Sequence, residues 1–141
     1  MRTPHPLHWS VVGAVSVGGA LGAVARYAAT RGFPDVPTGF PWTIFTVNVV
    51  GSFLLAMLPS LVYVRRHPHL PPLLGTGVLG GFTTLSTYSE QSRALVAAGR
   101  TALAATYVLG TLAAALLAVL VADRFSTPSA RTEFDEEEGD L

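Results

Sequence analysis

The chain has no cysteine and no lysine, and it carries little charge of either sign. Without cysteine there is neither a disulfide framework nor a thiolate metal site. All nine basic residues are arginine, a usage compatible with a GC-rich coding genome. Charged residues make up 13% of the chain against 50% hydrophobic ones, and the mean hydropathy is +0.45. No metal-ligand cluster, nucleophile and base pair or phosphate-cradling loop can be picked out, so enzyme function has no support. No nucleic-acid partner is expected.

What remains is apolar sequence in four long segments, about Trp9 to Thr30, Trp42 to Val64, Leu73 to Ala98 and Thr101 to Ala122. Four are too many for the soluble core of so short a chain. The second and fourth stretches contain no charged residue. Each is long enough, at about 1.5 Å per residue, to cross a hydrocarbon core of about 30 Å. The expected fold class is therefore an all-α membrane protein of four transmembrane helices over residues 1–125. Both termini then lie on one side, and the long first apolar run does not read as a cleaved leader. From Ser126 to Leu141, Arg131 stands against Glu133, Asp135, Glu136, Glu137, Glu138 and Asp140. This net of minus five, with few apolar residues, predicts a disordered acidic tail over 126–141.

The third segment is the unusual one. Gly75 to Glu90 reads GTGVLGGFTTLSTYSE, four glycines followed by a run of hydroxyls. One reading is a helix broken inside the bilayer, whose freed carbonyls and amides coordinate an ion. The other is a small-residue packing face with hydroxyls bonded back to their own carbonyls. Elsewhere polar residues are sparse. Gly18 and Gly22 form a small-xxx-small pair on the first helix, and Arg26 near its end either snorkels to the interface or makes a structural bond. Asn48 lies deep in an apolar run with Ser52 on the same face, as a pore donor or as interhelical glue. Tyr107 and Thr111, four apart, share a face of the fourth helix, and each hydroxyl could donate to an anion. Pro59 is expected to kink the second span. His67 and His69 read as interfacial loop residues rather than metal ligands.

Orientation in the bilayer follows arginine in the short loops. Arg2, Arg65, Arg66, Arg124 and Arg131 fall on one side, and Arg26, Arg31, Arg93 and Arg100 on the other. So even a split scarcely selects an orientation, and two copies inserted in opposite senses would build an antiparallel dimer.

Three blocks in order, GGALGAVARY, FTVNVVGSFLL and GVLGGFTTLSTYS, resemble the Fluc (CrcB) family of fluoride channels, over nearly all of residues 17–122. The resemblance implies a dual-topology dimer in the cell membrane, with the third helix broken near its centre and two fluoride pathways. It implies a passive leak: hydrogen fluoride enters, dissociates in the more neutral cytoplasm, and the anion leaves through the channel, which lowers its toxicity. Gly80 and Thr83 match positions whose backbone carbonyls hold a structural sodium ion. Asn48 matches the pore asparagine, Tyr107 and Thr111 a polar track, and Arg26 a first-helix arginine. Ser86 and Thr87, in the third block, complete the expected pore lining.

The sequence departs from the family at Leu85 and Tyr88, where paired phenylalanines usually present their ring edges to fluoride. A threonine usual four residues before the asparagine is Ile44, and a glutamate usual three beyond the second aromatic is displaced to Glu90. These departures keep a second function in view, a structural or regulatory subunit completed by a paralogous chain. A small dual-topology drug exporter is a third, but it needs an embedded carboxylate. The first two spans hold no Asp or Glu, and Glu90 is a poor substitute.

Overall fold

A computed structural model describes residues 9–125. The acidic tail expected over 126–141 lies outside the described residues. Every regular element among the described residues is helical. Helix α1 (Trp9–Gly32) ends where Gly32 and Pro34 interrupt it. Helix α2 (Trp42–Met57) begins directly after Pro41, which has no side-chain acceptor for the first-turn amides. The connecting loop supplies one: Thr43 N–H donates to Asp35 Oδ1 at 3.1 Å. Asp35 thus caps α2 from outside the helix.

The second span is shorter than expected. It does not continue through Pro59 to Val64. After Met57 the chain makes one 3₁₀ turn, Leu58–Ser60, and Leu61 is extended at φ −86° and ψ 99°. Proline has no N–H to give to the carbonyl four residues back, and its ring crowds that turn, so Pro59 stops the helix instead of bending it. A separate turn, α3 (Val62–Arg65), follows.

The third apolar segment is assembled from pieces. They are α4 (Leu70–Pro72), a widened π turn (Leu73–Leu79) and α5 (Gly80–Phe82). Thr83 and Thr84 are then extended, at φ −74°, ψ 156° and φ −150°, ψ 122°. Helix α6 (Leu85–Ala97) starts anew behind Thr84, whose hydroxyl accepts the N–H of Thr87 at 3.2 Å. At its other end Gly99 takes φ 73°. Gly99 N–H bonds Val96 O and Arg100 N–H bonds Leu95 O, a Schellman closure that needs glycine's left-handed conformation. Helix α7 (Thr101–Asp123) returns antiparallel to α6.

Helix α1 packs on the π turn and α5, while α7 packs on α2 and α6. The first interface is made by glycines. A Cβ on Gly18 would meet Leu73 O, one on Gly22 would meet Val78 O, and one on Gly81 would meet Gly19 O. The glycine-rich stretch is therefore a close-packing face, and the extended backbone lies just beyond it, at two threonines. Around the second interface Leu95, Ala104 and Tyr107 are buried among Phe40, Phe45, Tyr88 and Leu103. The apolar residues of the outer faces point away from the chain, among them Val17, Leu21 and Val24 on α1 and Leu112, Leu116 and Leu120 on α7. Three helical stretches, Trp9–Gly32, Trp42–Ser60 and Thr101–Asp123, are long and apolar enough to cross a bilayer.

Candidate functional site

Several of the expected site residues meet where α2 faces the extended pair. Asn48 Oδ1 accepts the N–H of Thr84 at 2.9 Å, and Asn48 Nδ2 donates to Thr84 O at 3.2 Å. One carboxamide thus satisfies both backbone groups of a residue that the helical ladder has abandoned. A half-buried polar side chain on an apolar helix is stabilised in the same stroke. Local sequence makes this approach possible: a Cβ on Gly51 would collide with the Thr83 methyl. Ser52 stands one turn beyond Asn48 and donates to Asn48 O at 2.8 Å. Ile44, one turn before it, is 1% exposed, so the apolar side chain at this position is packed.

A groove of about 320 Å³ opens here, lined by Asn48, Ser52, Thr84, Leu85, Tyr88 and Thr111 among others. None of its lining side chains is charged. Leu85 is 76% exposed at its edge. Ser86 and Thr87 sit beside it as part of the α6 cap, both within 3.2 Å of the Thr84 hydroxyl. The hydroxyls of the fourth-helix track have partners. Thr111 donates to Tyr107 O at 2.6 Å and Tyr107 donates to Gln91 Oε1 at 2.9 Å. Tyr88 donates to Val108 O at 3.0 Å and packs its ring 5.1 Å from that of Tyr107. Asn48, Leu85, Tyr88 and Thr111 are thus brought to one groove, whereas Tyr107 is wholly buried behind them and reaches it only through Tyr88. With these hydroxyls directed to carbonyls, Asn48, whose Nδ2 has a second N–H, lines the groove beside the opening turn of α6. The N-terminal end of α6 adds positive potential.

Gly80 and Thr83 lie at the start of the same interruption. The N–H four residues beyond Gly80 belongs to Thr84 and goes to Asn48, and Thr83 at ψ 156° turns its own carbonyl out of the ladder. Neutral carbonyl oxygens of this kind suit a hard monovalent cation. Arg26 reaches the adjacent carbonyl: its Nε donates to Gly81 O at 3.2 Å. Of the two fates open to Arg26, the structural bond is made. Sequence reasoning passed over Asp35, whose capping contact spans a proline-rich loop. It also passed over Gln91, whose signal was its place three residues beyond Tyr88 on α6.

Outward apolar faces on helices of bilayer length, around an uncharged groove that carries a few polar side chains, define a multi-pass membrane protein. The family described as "CrcB-like protein, Camphor Resistance (CrcB)" matches residues 13–122, and the chain belongs to it. A Streptomyces coelicolor protein named fluoride-specific ion channel FluC 1 is 46% identical over 114 residues, covering 79% of this chain and 74% of the relative. Fluoride-specific ion channel FluC 2 of Nocardia farcinica is 42% identical over 135 residues, 92% of this chain and 96% of the relative. Fluoride-specific ion channel FluC of Paracoccus denitrificans is 40% identical over 106 residues, 75% and 86% of the two chains.

Proposed function

We propose that the chain is a fluoride-selective channel that exports cytoplasmic fluoride passively, as an antiparallel homodimer in the cell membrane. The observation that carries this is the Asn48 clamp on Thr84: it holds a helix open beside an uncharged groove that Asn48 itself lines. Membership in a family whose relatives carry the name fluoride-specific ion channel supports the choice of anion. In this reading the pieces from Leu70 to Ala97 form a fourth span broken at Thr83 and Thr84, and the balanced arginines permit both insertions.

The residues divide the work by chemistry. A small hard anion shedding water needs N–H and O–H donors without a fixed cation that would trap it. Asn48 supplies an amide N–H and the Tyr88 ring its positive edge, while the Thr111 and Tyr88 hydroxyls, whose hydrogens go to backbone carbonyls, line the path. Leu85 supplies only an apolar wall. Ser86, Thr87 and Tyr107 hold the geometry around the path and lend their dipoles. Gly80 and Thr83 would hold the structural sodium through their carbonyls, and the ion would supply positive charge without a titratable side chain. Arg26 ties Gly81 to the first helix.

The test is fluoride efflux from liposomes containing only this purified protein, with chloride efflux as control. Fast fluoride and negligible chloride are expected. A folded dimer without fluoride flux would overturn self-sufficiency and point to the subunit role, with a paralogous chain replacing the aromatic edge missing at Leu85.

A further inference from the structure

In a continuous helix the N–H of residue 84 would donate to the carbonyl of residue 80. Here the ladder is intact one step earlier, where Leu79 O receives the N–H of Thr83 at 3.0 Å and its hydroxyl at 2.9 Å. At the next step the ladder fails: Thr83 is extended at ψ 156°, and Thr84 N–H is bonded to Asn48 Oδ1 at 2.9 Å. Asn48 Nδ2 completes the grip by donating to Thr84 O, pairing with that residue as a neighbouring strand would. The result is a Gly80 carbonyl released from its usual donor, on a glycine that is itself exposed on the chain's surface.

We propose that Asn48 is a positioning residue for the cation site: by taking the Thr84 N–H it keeps the Gly80 carbonyl free for sodium. This rests on the reading that Gly80 and Thr83 carbonyls hold that ion. The two ends of one amide then serve different ions. Oδ1 keeps an oxygen available to the cation, while Nδ2 faces the anion groove. The anion path and the cation site are coupled through a single side chain, and loss of that side chain lets the Thr84 N–H compete with sodium for Gly80 O.

Substitutions at Asn48 separate the two ends. Asn48→Asp keeps an acceptor for Thr84 N–H and loses the donor, so sodium binding is retained while fluoride flux is abolished. Asn48→Leu keeps the size and loses both, so sodium binding weakens by a factor on the order of ten, the size of one competing backbone hydrogen bond.

The experiment titrates the purified, reconstituted protein with sodium against a large organic cation. It reads radioactive sodium retention and the sodium-dependent rise in melting temperature, alongside fluoride flux. A sodium response in Asn48→Leu equal to the wild type overturns the coupling, as does loss of the response in Asn48→Asp. If Asn48→Leu does not elute as a folded dimer, Asn48→Thr must show the weakening, because its hydroxyl bonds back to Ile44 O and stops short of Thr84. Absence of any sodium response in the wild type overturns the sodium reading itself, and the coupling falls with it.

Discussion

Single residues in this protein are fixed by backbone groups that regular structure leaves over. Asn48 is at its position because Thr84 offers an N–H and a C=O to the same side chain. Asp35 is at its position because Pro41 cannot cap α2. Leu85 has no such obligation, being 76% exposed on the first turn of α6. A phenylalanine there meets no packing barrier and restores a ring edge beside the groove. Leu85→Phe is therefore expected to preserve or raise fluoride efflux from liposomes; a large loss would mean that the path at this position has been rebuilt around the aliphatic side chain. Asn48 was legible in the sequence as a polar residue too costly to leave unbonded. Its partner was not, because a contact between residues 36 apart has no local signature.

At the scale of elements, glycine sets how closely helices approach. Gly22 faces Val78 O and Phe82 N, so Gly22→Ala forces α1 away from the π turn and α5. Overpacking of this kind costs about 1–3 kcal/mol. A lowered melting temperature in detergent is expected for Gly22→Ala. Gly13→Ala, with nothing within 4 Å of its added Cβ, should melt at or above the wild-type temperature. Equal melting of both variants would remove the close approach. The glycine-rich third segment admitted two readings from sequence, a break or a packing face. The glycines form the packing face, and the extended residues are Thr83 and Thr84. Sequence placed Pro59 correctly as a disturbance but not its outcome, since a proline can bend or end a helix and Leu61 decides by becoming extended.

For the whole molecule the decisive feature is how weakly the loops choose a side. With arginines on both sides and no lysine, insertion in both senses is expected. The absence of native cysteine gives a clean measurement. His67 lies exposed in the loop after α3, so His67→Cys should react with a membrane-impermeant thiol reagent from both faces of intact cells or vesicles, about half of the copies from each. Labelling from one face only would exclude an antiparallel homodimer and favour a partner chain of opposite orientation.

The sequence by itself determined the solvent and the helical class, though not where the second and third segments break. Apolar runs of bilayer length with almost no charge can satisfy their backbone only as helices in lipid, and the three ordered blocks identify the family. It determined also that Asn48, Tyr107 and Thr111 carry the sparse polarity. Only the tertiary structure decided what that polarity does. The Tyr107 hydroxyl is spent on Gln91 and that of Thr111 on the helix backbone, while both ends of the Asn48 amide are bonded to Thr84 beside the groove. The reason is that a hydrogen bond is assigned by three-dimensional competition among donors and acceptors, and a linear chain lists the competitors without saying which of them meet.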